Sequence, residues 1–322
     1  MKESMSEKYH RPVRVAVVGV GNVGATFAYT LLMSGLASEI ILIDANREKA
    51  EGEAMDLNHA MPLTQPARVW VGDYKDCVGS AVTIISAGAN QRQGETRLDL
   101  AARNSDIFRQ IIPQVVKYNP DGIILIATNP VDVLSYASWK ISGLPKNQVF
   151  GSGTILDTAR FRFLLSQYFE VDPRSVHAFI IGEHGDSEVP VWSHANIAGM
   201  GFPVFCEQMG KGCEEEALNS IFEQTRDAAY RIIQSKGATY YAVATGLIRI
   251  VEAILRDQDT VLSVSSLIEN YYGIDDVFLS LPTVIDRGGV ERILRLKLND
   301  LEIQGLQNSA NVLKNLVKKL GY

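Results

Sequence analysis

Cysteine is scarce: Cys77, Cys206 and Cys213 are the only three in 322 residues, and no C-x-x-C pair occurs. An odd number cannot all be bridged, so reduced thiols in a cytoplasmic protein are the simplest expectation. Histidine is nearly as rare; its five copies are scattered, with no carboxylates or cysteines at ligand intervals. No metal site is expected. Basic excess is absent too: the formal charge of -6 leaves no cationic field for a phosphate backbone, which argues against nucleic acid as the main partner. Low-complexity tracts and internal repeats are also missing. One uncharged run, Val15 to Ser38, is long enough to span a membrane. It is broken by Gly19, Gly21, Asn22, Gly24, Thr26 and Gly35, which suit a strand, a tight turn and a packed helix instead. No signal-peptide cleavage pattern follows it, so neither a leader nor a membrane segment is expected.

What is present is ordinary for a globular protein, with 46% hydrophobic and 21% charged residues. The length suits two domains or one large one. Val13 to Val18 predicts a buried strand, Gly19-Val20-Gly21-Asn22-Val23-Gly24 supplies G-x-G-x-x-G, and Ala25 to Leu36 predicts a helix. Alone, the glycine pattern is weak; between a strand and a helix it has the context that dinucleotide binding requires. Gly19, Gly21 and Gly24 let the backbone approach a pyrophosphate, which the positive end of the helix attracts. A second strand, Glu39 to Ile43, ends at Asp44, about twenty residues beyond Gly24. An acid there bonds both ribose hydroxyls and repels a 2'-phosphate, favouring NAD over NADP.

Alternation continues with a helix over 47–60, strands over 68–71 and 81–86, a long helix over 98–118 and a strand over 122–127. Wholly apolar strands alternating with helices predict a parallel sheet covered on both faces, with ligands at the carboxyl ends of its strands. Three loops thus become site candidates: the Gly19 turn, 87–97 and 128–132. The second is polar and glycine-punctuated, as a lid would be, although a plain solvated loop reads the same way. Strict alternation stops after Phe150-Gly151-Ser152-Gly153. The expected architecture is α/β: a Rossmann-type NAD domain over 11–151, then an α+β substrate domain over 152–322.

In the second half, Thr154 to Phe169 predicts a helix on which Asp157 and Arg160 share a face. Arg162 lies about 200° round from Arg160 and points elsewhere. Val176 to Ile181 predicts a strand that ends just before Gly182-Glu183-His184-Gly185-Asp186-Ser187. His184 therefore stands where a strand gives way to a loop, a common place for an acid/base group; a histidine bonded to neighbouring backbone is the plainer alternative. Helices are expected over 214–235, 238–255 and 299–320, and antiparallel strands over 261–266 and 277–284. If His184 faces the nicotinamide of bound NAD, it can exchange the hydroxyl proton of a 2-hydroxy acid, with Asp157 fixing its tautomer. Arg160 can grip the substrate carboxylate through two parallel bonds, and Arg97 can polarise the carbonyl. An Asp and an Arg on one face can equally pair with each other.

At these positions the chain resembles the L-lactate/L-malate dehydrogenase family, over nearly everything from Pro12 to Leu320. The resemblance rests on the glycine motif, Gly94-Glu95-Thr96-Arg97-Leu98-Asp99-Leu100, Asn129-Pro130-Val131-Asp132, Leu156-Asp157-Thr158-Ala159-Arg160 and the His184 motif. It implies that His184 exchanges the proton, Asp157 supports it, Arg160 anchors the carboxylate, Arg97 belongs to the lid, and Asn129 touches substrate and cofactor. It implies that Val23, Asp44, Lys49, Tyr74, Gly88, Ala89, Ala127 and Ser152 join the glycines in the NAD site. Gln91, where malate enzymes of the family carry arginine, and Thr239 imply the lactate reaction, reversible hydride transfer between NADH and pyruvate. Arg92 and Gln93 depart from the usual lid pattern, and a one-residue shift would bring Arg92 inward and permit malate activity. Gln110 stands where related enzymes often have serine, so that contact is not carried over. Arg162 and His177 match a pair through which bacterial members bind fructose 1,6-bisphosphate between subunits. A homotetramer activated by that bisphosphate is implied. The alternatives are an L-malate dehydrogenase and, in a different class, a non-catalytic NAD-binding protein; the latter has no use for His184, Asp157, Arg97 and Arg160 together.

Overall fold

The apolar strands of the first half assemble as their two-faced burial requires. The computed structural model describes residues 12–89, 94, 96–210 and 213–322. In chain order the first half contains β1 (Arg14–Val18), α1 (Asn22–Ser34), β2 (Glu39–Ile43), α2 (Arg47–Ala60), β3 (Arg68–Val71), β4 (Val82–Ile85), α3 (Arg97–Tyr118), β5 (Ile123–Ile126), α4 (Val131–Ser142) and β6 (Val149–Gly151). The six strands pair in parallel in the order β3-β2-β1-β4-β5-β6. Alternate residues face opposite sides. Val15, Val17, Ile40, Leu42, Ile84 and Leu125 share one core with Phe27 and Leu31 of α1. Ala16, Val18, Ile41, Ile85, Ile124 and Ile126 pack with Phe108 and Ile112 of α3 on the other.

The chain leaves β1 towards β2 on one side and β4 on the other, so a crevice opens at the carboxyl ends of β1 and β4. Gly19 takes φ +94°, and a Cβ there would lie 2.3 Å from the Ala87 nitrogen. Only glycine lets these two strand ends approach so closely. The helix expected from Ala25 begins three residues earlier, at Asn22, and stops at Gly35, whose φ of +65° ends it. Gly24 therefore sits in the first turn of α1.

The second half continues with α5 (Ile155–Phe169), β7 (Val176–His177), β8 (Ile180–Ile181), β9 (Val189–Pro190), β10 (Asn196–Ile197), β11 (Met200–Gly201), α6 (Phe202–Met209), α7 (Glu215–Lys236), α8 (Tyr241–Arg256), β12 (Thr260–Ile268), β13 (Val277–Asp286), β14 (Gly289–Ile293) and α9 (Asp300–Lys319). Strands β12 to β14 extend the parallel sheet antiparallel, beginning at the Ser265–Gly151 pair. Among the described residues no helix is long and apolar enough to cross a membrane.

Two expectations fail. The strand expected over 176–181 is two short pieces in separate sheets. Side chains of α5 and of the residue just before it take backbone carbonyls here: Arg162 Nε donates to the Ala178 carbonyl at 2.9 Å, and Thr154 Oγ1 donates to that of Ile180 at 2.6 Å. The cysteines are not all free thiols either. Cys206 near the end of α6 and Cys213 just before α7 are joined as a disulfide, Cα to Cα 5.7 Å, leaving Cys77 as the free, buried one. The two cysteines lie seven residues apart in sequence.

Candidate active site

Asp157 lies in the first turn of α5, and the Thr154 bond to Ile180 holds that turn against β8. The loop beyond β8 is fixed from three sides. Gly182 and Ser280 of β13 exchange backbone bonds at 2.9 Å, the Glu183 amide donates to Ser309 Oγ of α9 at 2.6 Å, and the His184 amide donates to Asp132 Oδ2 of α4 at 2.8 Å. The outcome is a His184 Nδ1 to Asp157 Oδ2 separation of 2.5 Å. The other oxygen of Asp157 accepts from Arg160 Nη1 at 3.0 Å. Asp157 is thus shared between the imidazole and the guanidinium, rather than consumed by the arginine.

The electrostatics follow from this arrangement. Burial alone would lower the His184 pKa, but the adjacent Asp157 carboxylate overrides it and raises it to about 9. Burial likewise opposes ionisation of Asp157, yet His184 and Arg160 together hold its pKa below the ordinary value. Burial pushes Asp132 up to about 7. The His184 side chain keeps 21% exposure, so the ring is reachable from the cleft.

That cleft holds about 190 Å³ and is walled by Arg97, Asn129, Asp157, Arg160, His184 and Glu188, among others. It adjoins a second space of about 120 Å³ lined by Val23, Ala127, Asn129, Ser152, Thr239 and again His184 and Arg160. Arg97 opens α3 immediately after a capping box formed by Thr96 and Asp99. Its guanidinium reaches Asp186 at 2.9 Å, the Tyr230 hydroxyl at 3.1 Å and Glu183 at 3.3 Å, which holds it at the mouth of the cleft. The Asn129–Pro130 bond is cis, and the Asn129 carbonyl accepts from Asn104 Nδ2 at 2.9 Å. The Ala89 amide, following the exposed Gly88, donates to the same Asn104 side chain at 2.8 Å.

The residues expected to hold NAD fit a dinucleotide along the carboxyl edge of the sheet. No side chain caps the first turn of α1, and a Cβ built on Gly21 would meet no protein atom within 4 Å. The amides of that turn are free to meet an anion, and the space before them is open. Asp44 closes β2, where it accepts from the Val20 and Asn46 amides at 2.7 and 2.8 Å. Tyr74 is half-buried nearby; burial first, then Cys77 and Asp44, raise its pKa. Lys49 is exposed on α2. Gln91 lies outside the described residues, as do Arg92 and Gln93.

Arg162 points away from this site. It bonds Ala178, stacks on the Phe179 ring at 5.2 Å, and borders a separate hollow of about 600 Å³ with Arg174 and Arg249. His177 is exposed and does not line that hollow. Sequence reasoning passed over Asp132, Tyr230 and Glu188. A concentration of acids around His184 (Glu183, Asp186, Glu188) was the available signal, but the pattern of residues does not reveal which of them is buried.

Residues 13–151 match the lactate/malate dehydrogenase NAD binding domain, and residues 154–321 the alpha/beta C-terminal domain of the same family. The L-lactate dehydrogenase of Acetivibrio thermocellus is 57% identical over 95% of this chain and 97% of its own length. That of Priestia megaterium is 54% identical over 94% of each. The crystal structure of the minor L-lactate dehydrogenase of Enterococcus mundtii superposes with a TM-score of 0.93 at 42% identity, covering 96% of this chain and 98% of that one. A lactate dehydrogenase from a deep-sea metagenome library gives 0.94 at 43% identity, over 97% and 100%.

Proposed function

The chain belongs to the lactate/malate dehydrogenase family, and from that premise we propose that it is an NAD-dependent L-lactate dehydrogenase whose proton carrier is His184. The observation that carries this reading is the 2.5 Å approach of Asp157 to His184 Nδ1, on the wall of a cleft shared with Arg160. With Nδ1 committed to Asp157, Nε2 is left to exchange the substrate proton. Bound NADH supplies the hydride, and NAD+ accepts it in reverse. His184 donates its proton to the carbonyl oxygen of pyruvate and recovers it from L-lactate. Arg160 holds the substrate carboxylate, Asn129 orients the substrate, and Arg97 stabilises the charge that develops on the carbonyl oxygen. Gly19, Gly21, Val23, Gly24, Asp44, Lys49, Tyr74, Gly88, Ala89, Ala127, Asn129 and Ser152 hold the dinucleotide. The NAD domain closes with the last parallel strand at Gly151, and the substrate domain begins at Ser152.

The choice of lactate over malate is assigned to Gln91 and Thr239. Thr239 borders the inner space beside His184. A neutral amide at Gln91 leaves the second carboxylate of oxaloacetate unpaired in a closed site. Gln91→Arg is expected to swing the ratio of kcat/KM for oxaloacetate over pyruvate by about 10²-fold. Steady-state kinetics of both substrates check this, and an unchanged ratio removes Gln91 from the substrate site.

We propose further that the enzyme is a cytoplasmic homotetramer activated by fructose 1,6-bisphosphate at Arg162 and His177. The arginine-bordered hollow supports a polyanion beside Arg162 alone, since His177 lies outside it, and exposed Tyr29, Met33, Met55 and Tyr241 support self-association. The bisphosphate is expected to lower KM for pyruvate about tenfold near neutral pH. Superimposable saturation curves with and without it would end the effector proposal.

A further inference from the structure

Glu188 stands out because its burial is unexplained. It follows the His184 loop, is 6% exposed, and walls the substrate cleft directly. Its Oε1 has no hydrogen-bond partner, and the side chain forms no ion pair among the described residues. Buried carboxyls without a partner are uncommon, because the charged form pays for lost water and the neutral form still carries a donor and an acceptor to satisfy. The charged groups that act on it are Asp157 and Arg160 from α5, Arg226 from α7 and His184 from its own loop, while Arg97, Tyr230, Glu183 and Asp186 line the same cleft. Asp157 is ionised and discourages a second negative charge nearby, whereas His184, Arg160 and Arg226 only partly offset it. Burial first, then Asp157, places the Glu188 pKa at about 9.

We infer that Glu188 is a substrate-binding residue that works as a neutral carboxylic acid, sharing a hydrogen bond with the bound 2-oxo acid and admitting it to the Arg160 side of the cleft. The inference rests on the pyruvate-reducing function proposed above. A buried polar atom without a partner, on a residue that walls a cleft meant for an anion, is a place where a ligand can complete the bonding. The acid proton makes this possible: it donates to the substrate, and it removes a like charge from beside the substrate carboxylate. Loss of that proton leaves Arg160 facing a carboxylate of the protein's own, so the substrate is repelled and KM rises while kcat holds.

Two protons are then needed for productive encounter, one on His184 and one on Glu188. In the native enzyme, log(kcat/KM) for pyruvate should fall through two alkaline ionisations and steepen towards a slope of about -2; Glu188→Gln, neutral at every pH, should show one ionisation and a slope of about -1. Near pH 7 the glutamine variant should keep KM within about threefold of native, and Glu188→Leu, which removes the donor, should raise KM about tenfold with kcat little changed. The infrared C=O stretch of a neutral acid should disappear in Glu188→Gln and shift in the native enzyme when pyruvate's unreactive isostere oxamate binds. A single alkaline ionisation in the native enzyme overturns the proposal without recourse to any variant. Equal slopes in native and glutamine enzymes do so as well. Absence of pyruvate reduction by the native enzyme at pH 7 would instead overturn the function itself.

Discussion

Changing His184 to asparagine is expected to lower kcat for pyruvate reduction by about 10²–10⁴-fold, the usual contribution of a positioned general acid. Asparagine keeps a polar group of similar reach but has no proton to give at neutral pH. The native ring does, because Asp157 at 2.5 Å raises the pKa to about 9 against the effect of burial. The sign for each direction follows. Pyruvate reduction consumes the imidazolium proton, so kcat/KM is level below about pH 9 and is lost as pH rises through that value. Lactate oxidation needs the neutral ring, so its kcat/KM is small at neutral pH and climbs as the ring deprotonates. NADH absorbance followed in both directions across the pH range checks the pair of profiles, and both should collapse in the asparagine variant. NADH binding, measured by fluorescence, should survive, since the proposed dinucleotide site lies chiefly along the carboxyl edge of the parallel strands. An asparagine variant with native turnover would show that the imidazole is not the proton donor.

The parts of this molecule that were legible in the sequence are those where one local pattern dictates one environment. The runs Val82–Ile85 and Ile123–Ile126 are buried at every position, as only strands covered on both faces are. The glycine motif and Asp44 were legible because the backbone approach at Gly19 admits no side chain. Asp157, Arg160 and Arg162 were legible from helical spacing, since a helix fixes which residues share a face. What was hidden depends on contacts between distant segments. The break between His177 and Ile180 goes with bonds from Arg162 of α5 and Thr154 just before it, side chains about twenty residues upstream, and no property of the strand itself announces it. The Cys206–Cys213 bond joins the end of one helix region to the start of the next, a pairing that three scattered cysteines do not announce. The burial of Glu188 and Asp132 is a property of the assembled cleft: each is an acid in a polar motif until α4, α5 and α7 close around it.

Arg160 offers the second large effect, and lysine is the substitution that isolates its cause. Its side chain is only 12% exposed and one of its guanidinium nitrogens is already bonded to Asp157 at 3.0 Å. The planar fork can hold Asp157 and still present parallel N–H groups to a substrate carboxylate, whereas an ammonium carries the same charge on a single atom and reaches less far. Arg160→Lys should therefore keep the net charge of the site but lose the two-point grip. Disrupting one partner of a buried, hydrogen-bonded charge pair typically costs about 2–5 kcal/mol, which predicts a loss of about 30-fold to 5,000-fold in kcat/KM for pyruvate. The loss should fall mainly on KM, because the carboxylate is held equally in ground and transition states. A smaller part falls on kcat, since Asp157 loses its second anchor and with it some of its hold on the His184 ring. The loss should also be selective. A substrate analogue in which an amide replaces the carboxylate binds the native enzyme poorly and should discriminate little between arginine and lysine. Parallel saturation curves for pyruvate and its amide on both proteins make the comparison. Equal losses for the two substrates would mean that Arg160 acts through the fold of the cleft and not through the carboxylate.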